Sequence, residues 1–249
     1  MRVEGLAVML RPRSQGEACD LGQALVRAHA GSIWRCFAPV FAVVAALALC
    51  TVELGAGGPI LVVFLLKPWL DRTLLFVLAR AVFGLPTRWA DVWGARGQVF
   101  TGQLLRTLFW RRLSPWRAYT QPIEQLEGLR GSARRQRARL LLKSNRGAAT
   151  ALQTAFVHAE AVLAYAPAAL LWWFVPEASR GAVWDWFFHP DAHAAGALAQ
   201  DLFFALSYLA VVLLLEPFYV AAGFAMYLNR RVALEAWDVE QEFRLVFAR

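Results

Sequence analysis

Lys67 and Glu216 each interrupt a long apolar stretch, and a proline follows each at once. The two stretches read VVFLLKPWLDR from Val62 and VVLLLEPFYVAAGF from Val211. An ionisable side chain at membrane depth is costly to hold and faces a partner or a water-filled cavity. Lys67 lies 13 residues before Arg80, and Glu216 lies 13 before Asn229, where the two stretches end. At about 1.5 Å per helical residue, both groups sit roughly 20 Å from those ends. Equal depth and opposite sign make Lys67 and Glu216 expected partners. The proline after each frees a carbonyl one turn earlier, which can accept from the lysine or line a small polar cavity. Two readings follow: an ion pair that locks two helices together, and a relay for protons or a substrate. Asp71, Arg72, His158 and Glu160 extend this expected intramembrane polar site. His158 and Glu160 are two residues apart, so they point to different helix faces.

Other reactive residue types form weaker patterns. The run His189-Pro-Asp191-Ala-His193, with Asp185 upstream, has the residue types of a metal site. A proline within it and the lack of further ligands favour a plain polar loop, so no metal is expected. The three cysteines, Cys19, Cys36 and Cys50, are scattered and odd in number, which provides no disulfide framework and no metal spacing. No nucleophile elbow, P-loop, dinucleotide glycine pattern or zinc-protease helix occurs. The sequence therefore leans away from an enzyme, and no cofactor is expected.

The elements that position these residues are apolar helices. Hydrophobic residues make up 59% of the 249, above the 45–50% or so of soluble domains, and mean hydropathy is +0.43. The excess is concentrated in a few runs, and about 20 apolar residues cross a bilayer as a helix. The first run is FAPVFAVVAALALCTVEL, residues 37–54, closed by the breaker GAGGP. The second spans 60–83 and is interrupted by KPWLDR; it reads as one kinked span or as two short pieces, one of them re-entrant. The third covers 151–175 and ends on Trp172 and Trp173, and the fourth covers 202–228. Around Trp184, Trp186, Phe187 and Phe188 the 176–200 loop has interfacial character.

Between the second and third runs lies a basic segment, 85–150, with 13 Lys or Arg against three acids. Within it, Val99–Trp110 has an amphipathic rhythm suited to the membrane interface, and one helix is predicted over 123–142. Lys and Arg number five in 1–36, none in 55–59, 13 in 85–150, one in 176–200 and four from 229 onward. By the positive-inside rule, four spans place both termini and the basic segment in the cytoplasm. The net charge of +8 is thus read as topology and contact with anionic lipid. Nucleic-acid binding is not expected, since no basic-aromatic recognition motif accompanies the charge. Alanine and arginine outweigh isoleucine and lysine, the balance of a GC-rich bacterial genome.

At a constant offset of 149, Leu65-Leu66-Lys67-Pro68-Trp69 aligns with Leu214-Leu215-Glu216-Pro217-Phe218. This suggests a tandem repeat of helix pairs about an axis along the membrane normal, as in some transporters. The tail NRRVALEAWDVEQEFRLVFAR is rich in helix formers, with Arg231/Glu235 and Glu240/Arg244 at i,i+4 spacing. Trp237 and Asp238 mark its centre as a lipid or partner contact. The acids Glu235, Asp238 and Glu242 are placed to dock on arginines of 130–139.

The stretches LLKPWLDR, WRRLSPWRAY and LLEPFYVAAGFAMYLNRRVALEAWDVEQEFR together resemble a group of uncharacterised proteobacterial inner-membrane proteins. Members tend to be encoded near MoxR-type AAA ATPases. The proline-bearing last helix and Trp-Asp tail are also similar to the membrane domain fused to some glycerophosphodiester phosphodiesterases, although the catalytic domain of those proteins has no counterpart here. The resemblance implies a bacterial envelope setting and assigns no catalytic residue.

The expected fold is all-α, a polytopic transmembrane helical bundle of about four spans. Its parts are a cytoplasmic segment 1–36, helices 1–2 in 37–84, a cytoplasmic basic loop 85–150, helices 3–4 in 151–228 and a C-terminal helix 229–249. The expected function is a non-enzymatic inner-membrane scaffold or assembly component of an envelope-associated complex. Arg134, Arg135, Arg137 and Arg139 would contact protein partners or membrane lipids. The alternative is a small transporter or channel-like protein built on the Lys67/Glu216 site.

Overall fold

The computed structural model describes residues 11–55, 57–101, 114–188 and 194–235, which are all-helical with no strand among them. The helices are α1 (Gln15–Ala28), α2 (Ala30–Leu49), α3 (Gly57–Ala81), α4 (Trp89–Gly94), α5 (Arg117–Gln125), α6 (Gly131–Leu142), α7 (Arg146–Phe174), α8 (Arg180–Phe188) and α9 (Ala194–Glu235). Start signals in the sequence are used locally. The Ser14 hydroxyl accepts from the Glu17 N–H at 3.3 Å, and the Glu17 carboxylate accepts from the Ser14 N–H at 2.9 Å. This reciprocal cap holds the Glu17 carboxyl below its usual range, first through the Ser14 backbone N–H and then through its hydroxyl.

Among the described residues, three helices are long and apolar enough to cross a membrane: α2, α7 and the 197–235 stretch of α9. α3 is not among them. It is one unbroken helix rather than two pieces, with Pro68 inside it. However, every 18-residue stretch of it contains Lys67, Asp71 and Arg72. The fourth predicted run is the central part of a much longer element. α9 has 42 residues, about 63 Å at 1.5 Å per residue, well beyond a hydrocarbon core of about 30 Å. Asn229–Glu235, predicted to open a separate tail helix, continues it.

The predicted helix over 123–142 is two helices. Leu126–Arg130 separates α5 from α6, and Gly128 and Gly131 take φ of 69° and 58°. Only glycine enters that left-handed region at little cost, so two glycines three apart end one helix and start the next. Of the amphipathic stretch 99–110, only residues 99–101 are described, in the π-helical turn Gly97–Thr101. The rest of that stretch, the loop run 189–193 and the tail from 236 onward, including Trp237 and Asp238, lie outside the described residues.

The chain divides into two compact units. One comprises residues 1–38, 68–154 and 216–249; the other comprises 39–67 and 155–215. The first unit has a dense core, in which Phe37, Leu70, Leu74, Leu78, Tyr119, Ile123, Leu141, Phe224 and Tyr227 are fully buried. Two helix contacts in it are backbone-close. A Cβ on Gly22 of α1 would meet the Ala221 carbonyl oxygen at 2.5 Å. One on Gly223 of α9 would meet Ala118 Cβ at 2.4 Å and its carbonyl carbon at 2.8 Å. Small residues permit such approach, and a larger one must push backbone aside. Gly223→Val is therefore expected to destabilise the protein by about 1–3 kcal/mol or more, read as a lower Tm in detergent. A Tm equal to wild type would rule out this contact.

The second unit has few buried residues and a largely apolar surface. On α7, Val162 is 68% exposed, Leu170 60%, Trp173 82% and Phe174 81%. Ile60, Leu61, Phe64, Leu206 and Leu214 are exposed as well. An apolar surface of this extent on a folded unit requires a non-aqueous neighbour. Its aromatic cluster, Trp186, Phe187, Phe203 and Phe204, packs edge to face with ring centroids 4.8–6.0 Å apart.

Candidate functional site

The two units hold the ionisable residues of interest differently. In the second unit, Lys67 Nζ of α3 lies 2.5 Å from Glu160 Oε1 of α7, with side chains only 9% and 13% exposed. Lys67 was expected to pair with Glu216; within its own unit its acid is Glu160. His158, two residues away on α7, is exposed, in keeping with the different faces that spacing requires.

Glu216 and Asp71 belong to the first unit, where both are fully buried. Their cation is Arg117, from the start of α5. Its Nε is 2.7 Å from Asp71 Oδ2, and its Nη2 is 3.6 Å from Glu216 Oε1. The guanidinium also lies over the Tyr219 ring, 5.7 Å from the centroid. One cation thus bridges α3 and α9 from α5. Arg72 turns elsewhere. Its Nη2 donates to the Gln98 carbonyl, Gln98 Nε2 donates to the Gln125 carbonyl at 2.9 Å, and Gln125 Nε2 donates to the Arg72 carbonyl at 2.7 Å. This closed ring of bonds ties α3, the turn at 97–101 and the end of α5.

Above Arg72 and Arg117, α5, α6 and the start of α7 enclose a cavity of about 350 Å³. Arg72, Arg117, Arg134, Arg135, Arg139 and Arg146 line it, with Glu124 as the one carboxylate among the described residues. Trp116, Thr120, Gln121 and Gln125 complete much of the wall. Several of the arginines are held in place. Arg134 Nε is 3.7 Å from Glu124 Oε2, and Arg146 lies over the Trp116 indole at 5.4 Å. That indole in turn donates to Thr150 Oγ1 at 2.8 Å. Burial pulls the Arg134 guanidinium below its ordinary pKa, although an arginine stays charged at any working pH. Arg135 and Arg139 are exposed on α6 and form the rim.

Arg137 faces another way. Its Nε donates to Glu127 at 2.9 Å, and its Nη2 donates to Glu235. Glu235 also accepts from Arg231 at 2.6 Å, at the i,i+4 spacing expected in the tail. Tyr227 donates to Glu127 at 2.5 Å. Burial works against the Arg137 charge, but the hydrogen bonds it donates to Glu127 and Glu235 outweigh it and raise its pKa. Arg137 is therefore a tie between α6 and the end of α9, while its three neighbours on α6 line the cavity.

Sequence reasoning did not single out Arg117, which is one of 13 basic residues in its segment. The available signal was indirect, since two acids within apolar helices require a cation from somewhere. The chain matches no protein-family model, no curated protein and no solved structure.

Proposed function

We infer that this chain is a non-enzymatic integral membrane protein of the bacterial inner membrane, acting as a scaffold or assembly component of an envelope-associated complex. The observation that carries the reading is the contrast between the two units. One exposes apolar side chains along helices long enough to cross a bilayer. The other buries a tight core and turns a basic helix face outward, with Arg135, Arg139 and Lys143 exposed. On this reading the long apolar helices lie in lipid and the basic segment 85–150 faces the cytoplasm, in keeping with the arginine distribution. α3 would supply the apolar stretch 57–66 as a partial or fourth span. The suggested repeat of α3 and α9 is supported by one regularity. In both helices the border between units falls beside the aligned proline, Pro68 in one and Pro217 in the other.

A scaffold of this kind offers exposed Arg135 and Arg139, with 55%-exposed Leu140 beside them, to an acidic cytoplasmic protein surface. Reporter fusions after Arg135 should read as cytoplasmic, and partners co-purified in mild detergent should be lost from Arg135→Glu/Arg139→Glu protein of unchanged stability. A periplasmic reporter signal, or an unchanged set of partners, would overturn the reading. The second reading, a small transporter, is favoured by one observation, the Lys67–Glu160 pair held within the apolar unit. It requires flux or proton coupling in vesicles to be lost in Glu160→Gln protein that still folds.

A further inference from the structure

We propose that the arginine-lined cavity of the first unit is a binding site for a phosphate-bearing anion. Among the described residues, six guanidiniums and one carboxylate line a space of about 350 Å³, within the size range of small-molecule sites. With Asp71 and Glu216 on Arg117, the guanidiniums still outnumber the acids. Like charges at such spacing repel, and an anion between them relieves the repulsion. Guanidinium forks match phosphate oxygens two at a time, which a single ammonium does not.

The site is built in two layers. Arg72 and Arg117 form the floor and are only 6% and 9% exposed. Their positions are set by the Gln98 carbonyl and by Asp71. Arg134 and Arg146 are steered by Glu124 and by the Trp116 ring. Little side-chain freedom then remains to be lost on binding, which favours affinity. Arg135 and Arg139 lie one turn apart at the open edge, where an incoming anion meets them first. Thr120 and Gln121 add neutral donors, and Trp116, Ala138 and Leu142 offer an apolar strip for whatever the phosphate carries. The concave shape favours a small anion over an acidic peptide, which would instead lie along the exposed face of α6.

The phosphate has two possible sources: a soluble anion from the aqueous phase, or the headgroup of an anionic phospholipid. Both are tested on the full chain purified in uncharged detergent. Inorganic phosphate is titrated calorimetrically, and phosphatidylglycerol is compared with phosphatidylcholine by native mass spectrometry. One equivalent of inorganic phosphate or of phosphatidylglycerol is expected to bind, more weakly as salt rises. Phosphate binding without lipid identifies a soluble ligand, and binding of phosphatidylglycerol alone identifies a headgroup.

Arg135→Ala/Arg139→Ala removes only exposed side chains, so it should keep the wild-type Tm while weakening binding at least tenfold. Arg135→Lys/Arg139→Lys, which keeps charge but loses the fork, should fall between. Arg27→Ala, an exposed arginine of α1 away from the cavity, should bind as wild type does. Failure of both probes to bind, or equal binding by wild type and the double alanine variant, would overturn the proposal. Partner co-purification is a separate measurement, so the scaffold reading stands or falls apart from this one.

Discussion

Arg117→Ala is expected to cost the folded protein about 3–5 kcal/mol, because it takes a buried cation away from two buried carboxylates at once. Asp71 and Glu216 are both fully enclosed, and the Arg117 side chain between them is 10% exposed. Removing the cation leaves the desolvation cost of the acids in place and deletes the attraction that offsets it. It also removes the stem and guanidinium that pack on Tyr219. The readout is the fraction of monodisperse protein after extraction, together with Tm in detergent. Arg117→Lys keeps the charge but cannot reach two carboxylates with a planar fork, so an intermediate loss is expected. Arg117→Met combined with Asp71→Asn and Glu216→Gln should recover much of the loss, since a buried ionic cluster replaced as a whole is often near neutral. An Arg117→Ala protein as stable as wild type would show that the cluster contributes nothing.

That prediction rests on a residue the sequence leaves in a crowd. The apolar runs of α2, α7 and α9 are legible because length and hydropathy act through local composition alone. Glycines 128 and 131 are equally local, and the break between α5 and α6 was there to be read. Rotation about a helix axis is not local. The depths of Lys67 and Glu216 follow from counting residues, but depth does not say which neighbouring helix each side chain faces. The structure gives Lys67 the Glu160 carboxylate and gives Glu216 the Arg117 guanidinium. Similarly, the run Arg134, Arg135, Arg137 and Arg139 reads as one basic patch. Helical spacing divides it, sending Arg137 to Glu127 and Glu235 and the other three to the cavity. The bond from Arg137 to Glu235 accords with the docking of tail acids on this segment, because both ends were identified by charge alone.

The Lys67–Glu160 pair yields the second large effect. With side chains 9% and 13% exposed, each charge offsets part of the other's desolvation cost. Lys67→Met and Glu160→Gln are each expected to lower the yield and Tm of folded protein. The double variant Lys67→Met/Glu160→Gln should lose less than the two single losses add to, a coupling of about 1–3 kcal/mol. Swapping the charges, Lys67→Glu with Glu160→Lys, should restore folding if the two groups meet mainly each other. A swapped protein no more stable than the single variants would show that the pair contributes nothing. The same variants distinguish a lock from a relay. A structural pair loses stability when neutralised and regains it on swapping, whereas a relay loses flux in Glu160→Gln protein that remains folded. Retained flux in that protein would leave the pair with a structural role alone.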